Sequence, residues 1–483
     1  MTTTKKPKKQ KLRNAEYYDL QATFDKLYSE SKNGKTFTKI MPIILSENNI
    51  RLAYRNLKRN SGSRTAGTDH KTIKDLETWK EPDLVRYVRK RLEWYIPQPV
   101  RRVEIAKDNG KTRPLGIPTI QDRLIQQCFL QVLEPICEAK FHDRSFGFRP
   151  NRSQENAVAV AYSLMQIQHL HFVVDLDIKG FFDNVSHGKL LRQMWALGIR
   201  DKTVLSTLSA MLKAEVAGIG FPEKGTPQGG IISPLLSNIV LNELDWWISS
   251  QWETMSMRKN YVRTRKDNGV AEKTYAYKVL REKSRLKECY GLRYADDFRI
   301  FCRRRQDAEK LFIATQKWLK ERLGLDISPE KSQIVNLKRK YSEFLGFKMM
   351  VKPNGKSGSK TRYTVVSHVS EKRKKKIKKR ASELVAKIKF PADKFEEHKF
   401  IMDYNSYVMG IHNYYSMATH ANQDFSEIGF SVKRTMKCRI GQRLKKSGNS
   451  LPQYVQEKYG RSKELRYIRG LFVLPISYVQ TRA

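Results

Sequence analysis

Apolar positions recur at helical spacing over most of the chain and at strand spacing in a few short runs. Tyr17, Leu20, Phe24 and Leu27, then Ile50, Ala53, Tyr54 and Leu57, predict helices across 15–58. A Gly-rich loop follows from Asn60 to Asp69, and 73–95 is expected to be helical again. Residues 101–120 alternate apolar and polar about Asp108-Asn109-Gly110. Asp or Asn before Gly, between two extended runs, predicts a hairpin. Leu124, Ile125, Cys128, Val132, Leu133 and Ile136 share one face of a helix over 121–140. FVVDLDI at 172–178 predicts a strand, 186–214 helix, GLRYADDFRIFCR at 291–303 a further hairpin, and 307–323 a helix. PNGKSGSKT at 353–361 predicts a loop. Beyond it come three apolar stripes: Ile377, Ala381, Leu384, Val385 and Ile388; Phe400, Ile401, Tyr404, Val408, Ile411 and Tyr415; and Phe425, Ile428, Val432, Met436, Ile440 and Leu444. They predict three amphipathic helices packed as a small bundle.

Composition narrows the function. The 483 residues hold 93 Lys and Arg against 49 Asp and Glu, a net charge of +44. Such a charge opposes compaction unless a polyanion screens it, so nucleic acid is the expected partner. The excess is concentrated in three places. Residues 1–13 hold six Lys or Arg, 252–288 hold eleven, and 372–380 hold eight in nine positions. The stretch 252–288 has the texture of an insertion between two elements of a core domain. No apolar run approaches the ~20 residues that span a bilayer, so no membrane association is expected. The N-terminus has no apolar stretch of a secretory signal. Five cysteines without a C-x-x-C pair suit a reducing cytoplasm, and they argue against a disulfide framework or a Cys-rich zinc site.

Candidate chemistry begins at Tyr294-Ala295-Asp296-Asp297. Adjacent carboxylates in a hairpin repel and have low strand propensity unless a cation compensates them. Mg²⁺ takes carboxylate and phosphate oxygens together. A third carboxylate, Asp177, ends the 172–178 strand, with Asp175 and Asp183 as neighbouring alternatives. Two-metal nucleotidyl transfer needs carboxylates from separate elements, holding ions roughly 4 Å apart.

The ordered set of motifs resembles the palm of reverse transcriptases. An Asp followed five residues later by an aromatic selects Asp177 with Phe182 over Asp175. Gly225-Thr226-Pro227-Gln228-Gly229-Gly230, then Ile231-Ile232-Ser233-Pro234-Leu235, matches the second palm motif of group II intron reverse transcriptases, and YADD at 294–297 the third. RRVEIAKDNGKTRPLGIPT at 101–119 looks like the fingers hairpin, and SFGFRPNRS at 145–153 like the segment after the fingers helix. SPEKSQ at 328–333 and FLGF at 344–347 look like the last palm motifs. The chain thus resembles a bacterial group II intron-encoded reverse transcriptase and maturase.

The resemblance implies an α+β, right-hand polymerase fold. Its expected parts are a basic tail (1–14), an N-terminal extension and start of the fingers (15–100), fingers (101–170) and a palm (171–350). A linker (351–365), a helical thumb or maturase domain (366–450) and a C-terminal segment (451–483), which could begin a DNA-binding region, complete it. Two Mg²⁺ ions are expected on Asp177, Ile178, Asp296 and Asp297. Lys107, Arg113, Phe182, Gln228 and Lys331 are expected at the deoxynucleoside triphosphate, with Phe182 excluding a 2′-hydroxyl. Phe344, Leu345, Gly346 and Phe347 are expected to grip the primer. Arg149 and Arg152 are expected at template phosphates, with ion pairs inside the fold as the alternative. Lys374, Lys375, Lys376, Lys378 and Lys379 are expected to bind intron RNA. The expected partners are that RNA, target DNA and an RNA/DNA template-primer. The function implied is RNA-directed DNA synthesis with intron binding for splicing and retrotransposition. A protein used mainly in splicing, or a reverse transcriptase in a defence system, is the alternative. Many relatives carry an H-N-H nuclease after the thumb; LPISYVQTRA at 474–483 holds no Cys or His of that signature, so no endonuclease domain is expected.

Overall fold

A computed structural model describes residues 14–482, apart from 107–111, 256, 258, 266–268 and 270. Its N-terminal lobe is helical: Gln21–Lys32 and Glu47–Arg59 pack on the longer helix Ile120–Glu138, Glu81–Glu93 packs on Glu47–Arg59, and Ile73–Glu77 lies between those two in the chain. The stretch 73–95 is two helices, not one. Thr72 and Asp75 form a capping box at the start of the first, and Pro82 enters the second in its first turn. Helix Ile120–Glu138 is buried on more than one face, with Ile120, Leu124, Cys128, Phe129, Val132, Leu133 and Cys137 all inside. It is the core of the lobe and not a surface helix. Strands Arg101–Ala106 and Thr112–Ile117 pair antiparallel, as the sequence pattern predicts.

Four antiparallel strands make the central sheet, in the order Cys289–Tyr294, Asp297–Cys302, Phe172–Asp177, Gln333–Asn336. Helices Gln154–Gln166, Ser233–Ser250 and Arg305–Trp318 pack on it. The 186–214 stretch breaks at Gly198, with φ +106, into His187–Ala196 and Lys202–Leu212. The basic insertion holds a short hairpin, Arg263–Thr264 with Ala271–Glu272, and a helix, Thr274–Lys283.

The expected loop at 353–361 is a correction. Strands Phe347–Ser357 and Lys360–Val369 run through it as one long hairpin, with a register shift between Pro353 and Lys356. Gly, Pro and Ser there mark a bulge and a turn, not a break in pairing. Strand Ser342–Phe344 adds the third strand of this smaller sheet. Three helices follow, Glu371–Lys389, Lys394–Tyr415 and Ala421–Ile440, on the predicted stripes. Residues 453–482 fold back on them. Asn405 Nδ2 donates to the Phe472 carbonyl at 2.7 Å, and His412 contacts the Tyr459 hydroxyl and the Ile476 carbonyl. Among the described residues, no helix is long and apolar enough to cross a membrane.

Candidate active site

Sheet register brings the first two carboxylates together. Asp177, the last residue of its strand, is the direct partner of Asp297, the first of the next. Asp297 also pairs with Tyr294, so Ala295 and Asp296 form a two-residue turn. Asp296 is exposed at the tip. Ala295 is left-handed, at φ +58, which costs about 1–2 kcal/mol in a residue with a Cβ. Its surroundings hold it there. The segment before Phe148 lies against the turn: Phe146 N donates to the Arg293 carbonyl, and Arg293 N to the Arg144 carbonyl, both at 2.9 Å. A Cβ on Gly147 would stand 2.3 Å from Ala295 N, so only glycine fits.

Beneath the turn lies a buried network that the motifs did not suggest. Arg293 forks onto Asp245 at 2.7–2.9 Å and donates from Nη1 to Asn238 Oδ1 and to the Ala295 carbonyl. Asn238 in turn donates to the Gly147 carbonyl. One guanidinium therefore ties both sides of the turn to helix Ser233–Ser250. The visible signal was an Arg directly before the YADD, with Asn and Asp seven apart on a helix.

The carboxylates are accessible but partnered. The Asp177 and Asp297 side chains are 44% and 42% exposed. Lys331 Nζ lies 3.0 Å from Asp177 Oδ2, and the Asp177 carbonyl accepts from Ser328 N at 2.7 Å. Ile178 is buried and bridges to Ile327. Arg299 contacts Asp297 Oδ1 and lies 3.0 Å from Asp175 Oδ1. Asp175 also accepts from Ser342 Oγ at 3.0 Å. Burial pushes the Asp175 carboxyl up; Arg299 and Ser342 work against it. Asp175 thus serves inside the sheet. The donor set of Asp177, Asp296 and Asp297 is all oxygen, which suits a hard cation such as Mg²⁺. Among the described residues, no group of three or more His, Cys, Asp or Glu is arranged to hold a metal ion.

The Gly-rich motif lies between the first hairpin and the Phe182 turn. Gly116 N donates to the Gln228 carbonyl at 2.9 Å, and Thr226 N to the Phe182 carbonyl at 2.7 Å. Gly229 has φ +134, and a Cβ there would meet the Gly116 carbonyl at 2.5 Å. Phe182 is buried in the short turn Phe181–Asn184, edge to face with Phe181. Arg113 pairs with Ile105 across the first hairpin. Lys107 and the Asp108–Gly110 turn lie outside the described residues.

Phe344 and Phe347 pair across another tight turn, at Leu345 (φ +53) and Gly346 (φ +84). Both rings are buried. Phe347 stacks on Tyr414 at 5.5 Å, and the Tyr414 hydroxyl donates to the Leu345 carbonyl at 2.7 Å. Only the Leu345-Gly346 turn itself is partly exposed.

Two of the expected RNA contacts are corrections. Arg149 is 2% exposed in its side chain. It forks onto Glu138 at 2.7 and 2.8 Å and donates to the His142 and Ser145 carbonyls, so its hydrogen-bonding edge is used up inside the fold. Lys374 is 8% exposed and pairs with Glu427 at 2.7 Å and Glu371 at 3.0 Å. Lys378 shares Glu427 and is partly buried. Arg152 lies between: it donates to the Asp143 carbonyl and remains partly exposed. Lys375, Lys376 and Lys379 are exposed, alongside Lys372, Arg373 and Arg380.

Comparison with known proteins places the chain in a family. Residues 105–349 match the family described as reverse transcriptase (RNA-dependent DNA polymerase). The chain is 31% identical over 448 residues to the group II intron-encoded protein LtrA of Lactococcus lactis subsp. cremoris, covering 82% of this chain and 73% of the relative. It is 34% identical over 265 residues to protein YkfC of Escherichia coli (strain K12), covering 53% of this chain and 68% of the relative.

Proposed function

Since the chain belongs to the group II intron-encoded reverse transcriptases, a family of RNA-directed DNA polymerases, we propose that Asp177, Asp296 and Asp297 are its catalytic carboxylates. The observation that carries this is the register pairing Asp177 with Asp297 at the end of the sheet, beside the exposed Asp296. In this reading the central sheet is the palm, the first hairpin the fingers and the three-helix lobe the thumb.

Two Mg²⁺ ions, held by the three carboxylates and the Ile178 carbonyl, would supply charge neutralisation at the transferring phosphate. The primer 3′-hydroxyl attacks the α-phosphorus, and the bond to the β-phosphate breaks, releasing pyrophosphate. Lys107 and Arg113 bind the triphosphate, Arg through its planar fork. Phe182 sits where a ribose 2′-hydroxyl would clash, and Gln228 lies along the nascent base pair. Lys331, beside Asp177, assists pyrophosphate departure. Buried Phe344 and Phe347 shape the Leu345-Gly346 turn, and that turn meets the primer. The test is extension of a DNA primer on an RNA template with Mg²⁺. Asp296→Ala should lower the rate by at least about a thousand-fold, as loss of one member of a catalytic unit does. Full activity in that variant would remove the assignment.

A further activity, binding of its own intron RNA to assist splicing and retrotransposition at a DNA target, is favoured by the exposed cations of helix Glu371–Lys389. Lys375, Lys376 and Lys379 are exposed there. A folded RNA, recognised through shape and backbone, matches such a face.

A further inference from the structure

Arg299 is a strongly buried cation in direct contact with Asp297: its side chain is 9% exposed, against 42% for Asp297. Its two Nη groups make the hydrogen bonds, while Nε makes an ion-pair contact without a hydrogen bond. Nε faces Asp175 Oδ1 at 3.0 Å, Nη1 contacts Asp297 Oδ1, and Nη2 contacts the Glu343 carbonyl. Its flat face lies over the Phe344 ring, 4.7 Å from the centroid. Glu343 and Phe344 belong to the strand that leads into the Leu345-Gly346 turn. One side chain thus touches a proposed metal ligand and the root of the proposed primer grip. Only a planar fork with several fixed donors can do both; a lysine ammonium is a point charge.

Charge explains the company Arg299 keeps. One cation paired with Asp297 alone would cancel the charge that must attract a divalent cation. Asp175, buried and directly opposite Arg299 in register, shares the guanidinium. Two carboxylates against one guanidinium leave a net charge of −1 in the cluster.

We propose that Arg299 is a positioning residue that fixes the Asp297 carboxylate relative to the primer-gripping turn, with Asp175 as the counter-ion that leaves Asp297 free to bind metal. The proposal rests on the reading of Asp297 as a metal ligand. Wild-type primer extension checks that reading separately: a wild-type chain that cannot extend a primer defeats the reading itself.

The test compares Arg299→Lys with the double variant Asp175→Asn plus Arg299→Gln. The latter replaces the buried ion pair by a neutral one of similar size. Thermal unfolding reports folding, and the electron spin resonance signal of Mn²⁺ reports metal binding without turnover. Single-turnover extension reports chemistry. Arg299→Lys is expected to fold, to weaken Mn²⁺ binding several-fold and to slow extension at least ten-fold at saturating nucleotide. The double variant is expected to regain wild-type thermal stability while remaining slow and weak for Mn²⁺. Wild-type Mn²⁺ affinity and rate in Arg299→Lys would overturn the proposal. So would a double variant with full activity, which would make Arg299 only a partner for buried Asp175.

Discussion

The turn at Tyr294–Asp297 and the turn at Phe344–Phe347 share a geometry and differ in what braces them. Each closes an antiparallel pair with two residues, and each holds a residue other than glycine in the left-handed region, Ala295 and Leu345. The first is braced by a segment and a helix that precede it in the chain. Gly147 lies against Ala295 N, and Arg293 holds the Ala295 carbonyl from below. The other is braced by the helical lobe that follows it. Tyr414 donates to the Leu345 carbonyl, Gly346 has Arg373 and Tyr415 within 3.0–3.3 Å of where its Cβ would be, and Ser370 N donates to the Gly346 carbonyl. The carboxylates therefore sit on a turn fixed by the segment around Gly147 and by helix Ser233–Ser250, while the neighbouring turn is tied to the three-helix lobe read as the thumb. A movement of that lobe would be felt at Leu345-Gly346 and, through Arg299, at Asp297.

Breaking the brace at Ala295 should have the largest effect. Gly147→Ala forces a Cβ into the backbone of Ala295, at 2.3 Å. Stability is expected to fall by about 3 kcal/mol through overpacking. Extension is expected to fall at least about a hundred-fold, because a displacement of about 1 Å at a reacting group costs that much. Thermal unfolding and single-turnover extension check the two parts. An active Gly147→Ala would mean that the close approach is not needed.

Loosening the brace at Leu345 should do less, and should do it elsewhere. Tyr414→Phe removes one hydrogen bond to the Leu345 carbonyl, worth about 1 kcal/mol, or about five-fold. The loss is expected in template-primer affinity and processivity, with the rate of a single bound turnover nearly unchanged. Filter binding together with single-turnover extension separates the two. A slowed single turnover at saturating primer would erase the distinction between the turns.

Neutralising the exposed lysines should touch neither turn. The triple change of Lys375, Lys376 and Lys379 to Gln is expected to leave extension on a short generic template within about two-fold. The slope of intron-RNA affinity against salt should fall by about 2, since each phosphate contact contributes roughly 0.7–0.9. An unchanged slope would assign those lysines to solvation alone.

The two turns also show what could be read from residues and what could not. YADD and FLGF stand out because they are local and their spacing is fixed by pairing of nearest strands. The strand at 172–178 was legible in its apolar run, but the register that sets Asp177 opposite Asp297 joins strands more than a hundred residues apart and came only from the structure. Arg149 and Lys374 were not legible either, because burial of a cation depends on where its partner lies. Glu138 is eleven residues from Arg149, and Glu427 is fifty-three from Lys374. A run of eight cations in nine positions is uniform in sequence, and a helix turns it into two kinds of residue. Lys374 and Lys378, four apart, face the third helix, while Lys375, Lys376 and Lys379 face water. Arg299 escaped for the same reason. Its alternation in the strand suggests a surface residue, yet Asp175 opposite makes burial tolerable. The hairpin through 353–361 was hidden by a composition that marks loops, although its flanks alternate as strands do.

The central claim is that Asp177, Asp296 and Asp297 together hold the catalytic cations. Fe²⁺ in place of Mg²⁺, with ascorbate and peroxide, cuts the polypeptide beside a bound ion, and end-labelled fragments report where. The account predicts cuts near 175–178 and 294–297, suppressed by excess Mg²⁺ and lost in Asp297→Ala. Cuts confined to other segments, or cuts that persist in Asp297→Ala, would contradict it.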